Sequence, residues 1–268
     1  MVSAMLGVTN RLLGAAAAAA KGHTSDVAAQ RGALLDLHAS TARDLMVPGL
    51  DRDECISYVQ STMMRFFDDV LHEVAAKGAT DAYDTDRVAS VGERWSAALL
   101  TGRLRSIGRR AERFESDALI VTDDVSGNAR PLLEETRVLV QAAIVPAIGA
   151  GAIAIVPGYF GASRSGKLTT LGRGGSDLSA AVLGHCVDAD EVALWKVEHT
   201  IGANGWMDAW AAGADNEYVP LHRVRVTLTI SCSRVFTRSD HIVQHNSRTH
   251  EPAQVGRVLC TTQIRRSR

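Results

Sequence analysis

Thr169-Thr170-Leu171-Gly172-Arg173-Gly174-Gly175-Ser176-Asp177 packs a glycine turn, one guanidinium and one carboxylate between two apolar runs. Glycines at 172, 174 and 175 reach backbone angles closed to other residues and let amide N–H groups approach a ligand closely. The apolar periodicity that begins at Leu178 predicts a helix whose positive end faces the turn, so the segment suits an anion. Arg173 adds a two-pronged donor fork for a carboxylate or a phosphate. Taken alone, the cluster also fits an ordinary strand-to-helix connection with turn glycines.

The flanking pattern sets the fold class. Short hydrophobic runs at 118–121, 152–156 and 192–195 alternate with helical segments near 134–148 and 177–187. This order predicts an α/β fold with a mainly parallel sheet covered by helices on both faces. Ligands in such folds sit beyond the carboxyl ends of the strands, where the glycine segment falls. Upstream, residues 8 to 106 read almost wholly as helix, at 9–21, 25–46, 52–77 and 87–106, with breaks at Gly22, at 48–51 and over the polar stretch 78–86. Leu34, Leu35, His38, Ala42 and Leu45 form one predicted buried stripe. Downstream, 219–230 and 255–260 read as strands, and 231–249 has no period. Gly161-Ala162-Ser163-Arg164-Ser165-Gly166-Lys167 imitates a phosphate-binding P-loop, but Leu168 stands where a magnesium-binding hydroxyl belongs, so a hairpin between strands is expected.

Composition excludes several classes of partner. The 268 residues carry 29 basic and 30 acidic side chains, so no broad field attracts nucleic acid or a membrane surface. Mean hydropathy is near zero, and 46% of residues are hydrophobic, as in a globular chain able to bury a full core. Cys55, Cys186, Cys232 and Cys260 are scattered, with no paired spacing that would indicate disulfides or zinc, and a reducing cytosol fits them. His185-Cys186 lacks a second ligand pair, so no metal site is expected. The alanine-rich run after Arg11 is expected to be helix rather than a targeting segment.

The nonapeptide resembles the signature of the aspartokinases, members of the amino acid kinase family, and other segments resemble family motifs in the same order. Val2-Ser3-Ala4-Met5-Leu6-Gly7-Val8-Thr9-Asn10 is similar to the loop after the family's second strand, and Gly92-Glu93-Arg94-Trp95-Ser96 to its substrate-side helix. Pro157-Gly158-Tyr159-Phe160-Gly161-Ala162 resembles the strand leading into the signature, and Ala189-Asp190-Glu191-Val192-Ala193-Leu194-Trp195 the strand after it. His250-Glu251-Pro252-Ala253-Gln254-Val255-Gly256 resembles the turn before the last strand.

The resemblance implies an amino acid kinase-like three-layer sandwich over residues 1–268, with a mostly helical substrate-side part at 1–113 and a sheet-rich signature and nucleotide-side part at 114–268. It implies a cytoplasmic homodimer that transfers the γ-phosphoryl group of ATP to the side-chain carboxylate of L-aspartate, at the start of lysine, threonine and methionine biosynthesis. Arg173 would clamp the substrate α-carboxylate and Glu93 would pair with its ammonium. Thr9, Asn10, Ser176 and the amides of Gly174 and Gly175 would surround it. Asp177 would organise the phosphate centre beside Arg173. Ser3, Gly172, Gly174 and Lys196 would lie on the nucleotide side, with Mg2+ carried by ATP rather than held by the protein.

Bland roles stand beside these. Glu93 reads equally as a solvated helix glutamate, Ser3, Thr9 and Asn10 as caps of the first helix, and Asp177 as a carboxylate favoured by the helix dipole. The sequence also departs from the family. The Lys-Phe-Gly-Gly-Thr-Ser strand with its phosphate-supporting lysine does not occur, so the domain is expected to be N-terminally incomplete and inactive alone. Lys196-Val197-Glu198-His199-Thr200-Ile201-Gly202 replaces the usual Val-Asp-Gly loop, and no ACT module follows. The alternative is a non-catalytic relative or fragment that binds an amino acid or pairs with an active subunit.

Overall fold

Alanine at three- and four-residue spacing makes the first helix. In the computed structural model, which describes residues 1–196, 224–228 and 262–265, α1 (Val8–Ala20) buries Val8, Leu12, Ala15, Ala16 and Ala19 along one stripe. It packs with α2 (Thr24–Leu45), α3 (Leu50–Thr62), α4 (Asp69–Lys77), α5 (Ala82–Ala89) and α6 (Val91–Ser106) around a core that includes Leu12, Leu34, Val59, Phe67, Trp95 and Leu99. In the predicted stripe of α2, Leu34, His38 and Ala42 are buried, while Leu35 and Leu45 are partly covered. The His38 ring meets Trp95 edge-on at 4.6 Å. Trp95 in turn donates its indole N–H to Thr62 Oγ1 at 2.7 Å.

Two helical expectations need correction. The predicted helix 52–77 is interrupted by a π-helical segment, Met63–Asp68, a defect that hydrophobic spacing does not announce because the apolar stripe continues through it. The polar stretch 78–86, read as a break, contains the start of α5. Its first turn is closed by a capping box in which Asp84 N donates to Asp81 Oδ1 at 2.8 Å and Asp81 N to Asp84 Oδ2 at 3.3 Å. Here carboxylates make the helix start.

The remaining elements alternate as predicted. β1 (Ala111–Arg113), β2 (Val121–Thr122), α7 (Leu133–Gly149), β3 (Ile153–Ile155), β4 (Phe160–Ser163), β5 (Leu168–Thr170), α8 (Gly175–Cys186) and β6 (Glu191–Lys196) follow in order, with β7 (Val224–Leu228) and β8 (Thr262–Arg265) beyond. β1 pairs with β3, β2 with β4 and β6 with β7, all parallel. β4–β5 and β6–β8 are antiparallel. The mainly parallel α/β character therefore holds among the described residues. β4 and β5 form the hairpin expected in place of a P-loop, with Phe160 opposite Thr170.

The run 118–121 is shorter as a strand than predicted, because Ser116–Ala118 forms a 3-10 turn. β1 was not foreseen. β7 lies within the predicted 219–230, whereas 255–260 and 231–249 fall outside the described residues. The strands form three small sheets, β1–β3, β2–β4–β5 and β7–β6–β8, and a second core, from α7, α8 and residues flanking β2 and β3, includes Ile120, Val140, Ile144, Val156, Val182 and Leu183.

α6 joins the two regions. Every residue from Val91 to Leu99 is buried, with Trp95 and Leu99 in the helical core and Ala97 against Val2 and Ile155 on the sheet side. Gly92 permits the close approach of the segment before α1, since a Cβ there would lie 2.9 Å from both Ala4 Cβ and Val8 Cγ1. Neither neighbour can swing away as the tip of a long side chain could. Gly92→Ala is therefore expected to cost about 1–3 kcal/mol through overpacking. Urea denaturation followed by tryptophan fluorescence measures it, and an unchanged midpoint would show that α6 and α1 part without penalty.

Candidate substrate site at three helix starts

The signature turns as its glycines demand. Gly172 and Gly174 have φ of 73° and 76°, in the left-handed region that other side chains resist. Space enforces the same choice, because a Cβ on Gly172 would sit 2.5 Å from Asn128 Oδ1, and one on Gly175 2.8 Å from the Tyr159 ring. Gly174 is the N-cap of α8 and supplies no side-chain cap. The starts of α1 and α6 are likewise without a side-chain cap; Gly7, at φ 80°, caps α1, and Ser90 precedes α6. Thr9 and Asn10 lie inside the first turn of α1, so their reading as its N-cap is corrected. Val8 N is answered by Met5 O, Gly175 N by Gly172 O and Asp177 N by Gly174 O, so what these helix starts present to a ligand is chiefly their partial positive charge.

Short contacts bring these starts together. Val2 pairs with the strand end near Pro157, donating its N–H to Val156 O at 2.9 Å and accepting from Gly158 N at 2.8 Å. Gly158 abuts the start of α8, where its Cβ would lie 3.2 Å from Ser176 Cα. On the other side, the Ala4 backbone N–H donates to the Glu93 carboxyl. Ser3, half-buried, therefore lies in the segment that links Glu93 to the signature. Ser176 and Asp177 are half-buried, Gly175 is buried, and Arg173 stands exposed at the rim. Asp177 lies in the first turn of α8, so its role as a dipole-favoured carboxylate is compatible with a place in the site. Lys196 ends β6 with its backbone opposite Leu228.

Glu93 is the exceptional group. It is 4% exposed, which rules out the reading as a solvated helix glutamate. Burial pushes its pKa up to about 8, against the opposing pull of backbone N–H groups, its own and that of Ala4, and of the Arg94 charge. Its Oε2 is buried with no hydrogen-bond partner. A buried acceptor without a donor costs free energy that a folded protein ordinarily avoids, and an ammonium placed here would remove the cost.

Several supporting residues escaped the sequence reading. Tyr159 holds φ at 79°, strain of the kind concentrated at functional sites. Its N–H donates to Ser179 Oγ at 2.8 Å, and Ser179 donates to Gly175 O at 2.8 Å. Asp86, fully buried, accepts from Gly127 N at 3.0 Å and from Thr170 Oγ1 at 2.5 Å, which lashes the loop beside Asn128 to the signature. Only Ser179 carried a signal, four residues after Gly175 on the coming helix. Asp86 had none, because its partners are distant in sequence.

The family model described as "Amino acid kinase family" matches residues 5–199. Lysine-sensitive aspartokinase 3 of Escherichia coli is 29% identical over 195 residues, covering 73% of this chain and 41% of that protein. Chloroplastic aspartokinase 3 of Arabidopsis thaliana is 31% identical over 201 residues, covering 73% and 34%. The crystal structure of E. coli aspartokinase III in complex with aspartate and ADP (R-state) superposes with a TM-score of 0.61 at 27% identity, over 73% of this chain and 41% of that one. This chain thus spans about two fifths or less of the length of these relatives.

A pKa raised by folding has a definite sign. Between about 4.5 and 8 the native state holds the Glu93 proton more tightly than the unfolded state, so this group's contribution to stability is full below that window and is lost as pH rises through it. Glu93→Gln removes the titration. Its stability relative to wild type is expected to grow from pH 4.5 to pH 8 by a few kcal/mol, on the order of 1.4 kcal/mol per pH unit within the window. Urea melts at a series of pH values check this, and parallel curves for the two proteins would contradict a buried, protonated Glu93.

Proposed function

The chain belongs to the amino acid kinase family, and from that premise we propose that it binds L-aspartate and directs phosphoryl transfer from ATP to the aspartate side chain. The observation that carries this reading is the buried Glu93 carboxyl, with one oxygen unpartnered, reached through residues 2–4 and 157–158 from a glycine turn at a helix start. A site holding one half-satisfied carboxyl and several uncapped helix starts accepts a ligand with one amino group and several anionic groups. Aspartate beside the phosphates of ATP has that charge pattern.

Glu93 pairs with the substrate ammonium. Arg173, free at the rim to fold inward, forks onto the α-carboxylate, with Ser176, Thr9 and Asn10 hydrogen-bonding around it. The side-chain carboxylate, already ionised at neutral pH, needs no general base. One of its oxygens bonds to the γ-phosphorus while the bond from that phosphorus to the β,γ-bridging oxygen breaks, which leaves ADP and an acyl phosphate. Mg2+ bound to the ATP, rather than held by the protein, would offset charge on the phosphates. The N–H groups of Gly172, Arg173 and Gly174, near Ser3 and Asp177, face the moving phosphoryl group, Gly175 N being taken by Gly172 O, and fixed dipoles act most strongly there. Lys196 serves the nucleotide side, and the assembly is a homodimer.

An assay for the acyl phosphate tests the reaction directly. With ATP, Mg2+ and L-aspartate, hydroxylamine is expected to trap an aspartyl hydroxamate in protein that carries a complete phosphate cradle. Its absence in every context in which aspartate binds would leave an amino acid-binding relative that transfers nothing. Lysine cannot copy the guanidinium fork, so Arg173→Lys is expected to weaken aspartate binding by about 1.5–3 kcal/mol. Titration calorimetry showing unchanged affinity would remove Arg173 from the site.

A further inference from the structure

The residue after Glu93 is a second buried charge, pointed the other way. Arg94 is 2% exposed and donates to Glu115 at 2.5 Å and to Asp117 at 2.8 Å. Its guanidinium lies 5.0 Å from the centre of the Phe66 ring, in the π-helical segment, and 4.5 Å from that of Phe160, at the start of β4. The segment it grips is fastened in turn. Ser116 Oγ donates to Pro157 O, Tyr58 Oη donates to Glu115 at 3.0 Å, and Arg113 pairs with Glu115 at 3.2 Å. One guanidinium therefore ties α6 to the turn 115–117, and through Ser116 to the strand end that borders the signature.

We propose that Arg94 is a positioning residue for the amino-group site, holding the Glu93 carboxyl toward the substrate from behind α6. The proposal rests on the functional reading above and adds a residue to it. The geometry is that of a lever. Glu93 and Arg94 are consecutive in the stretch of α6, Val91 to Leu99, that is buried throughout, so they point to different sides of it, and fixing one fixes the rotation of the other. The buried Arg94 guanidinium lies against two aromatic rings while its partners Glu115 and Asp117 stay partly exposed, and its fork holds direction as well as charge. The same charge also acts on Glu93, whose ionised form it favours. The other groups that bear on Glu93 are Tyr159, in the loop before β4, and the backbone N–H groups of Ala4 and of Glu93 itself.

Two substitutions with opposite electrostatic sign separate positioning from plain stability. The readout is the Glu93 carboxyl titration in the free protein, by NMR with carboxyl-labelled glutamate and Glu93→Gln for assignment. Arg94→Gln is expected to move the midpoint to higher pH, and Asp117→Asn, which leaves Arg94 less neutralised, to lower pH. Arg94→Lys keeps the charge and loses the fork. It is expected to leave the midpoint near the wild-type value while raising the KM for aspartate, or its Kd, about ten- to a hundredfold with kcat little changed, the scale of a weakened charge-assisted hydrogen bond. If Arg94→Gln does not fold, Asp117→Asn and Arg94→Lys read the same coupling. Folded variants with an unmoved midpoint and unchanged aspartate affinity would reduce Arg94 to a structural ion pair and overturn the inference. Because the titration needs no substrate, shifts of the expected sign in a protein that does not bind aspartate would sink the functional reading and leave the coupling standing.

Discussion

A carboxyl group buried with one oxygen unanswered is the constraint around which this protein is arranged. Taking an ionised carboxylate out of water costs many kilocalories per mole unless something replaces the water. In the free protein Glu93 escapes part of that cost by holding its proton, and part by accepting backbone N–H groups. What remains is a local deficit that a cationic ligand removes. Much of the surrounding architecture keeps the deficit in place. α6 is buried from Val91 to Leu99, Gly92 lets the segment before α1 approach it, and Arg94 ties it to Glu115 and Asp117.

The opposite side of the site is built from backbone. Gly172 and Gly174 adopt left-handed angles that glycine allows, whereas Tyr159 shares them without glycine's freedom, so the loop before β4 is held by its packing rather than by preference. Asp86 and Ser179 do that holding, the first through Thr170 and Gly127, the second through Tyr159 and Gly175. In the phosphoryl transfer we propose, such preorganisation would matter more than in most reactions, because no proton needs to be taken and the protein would contribute mainly placement and charge. Among the described residues no helix is long and apolar enough to cross a membrane.

The parts legible in the sequence were those set by local rules. Alternating apolar runs marked α7, α8 and β6, the residue after Lys167 distinguished a hairpin from a P-loop, and the glycines of the signature stood where the backbone needs them. Other parts depend on partners far along the chain. Nothing near Glu93 in sequence tells a solvated glutamate from one sealed under residues 2–5, and Asp86 is some forty residues from the loop it ties. The π-helical segment leaves the apolar stripe intact and so leaves no mark. α5 was missed because its first turn is made of carboxylates that cap it, a signature easily taken for a loop.

The state of the Glu93 proton offers the most direct measurement. An ammonium bound at that carboxyl requires it to ionise, so aspartate binding at pH 7 is expected to release on the order of one proton from a group whose free pKa is near 8. Calorimetric titration in two buffers of different ionisation enthalpy counts that proton. Release close to one in the wild type, and close to zero in any binding that survives in Glu93→Gln, is the expected result. Tight aspartate binding with no proton released in the wild type would contradict the central claim, because the amino group would then be held somewhere other than at Glu93.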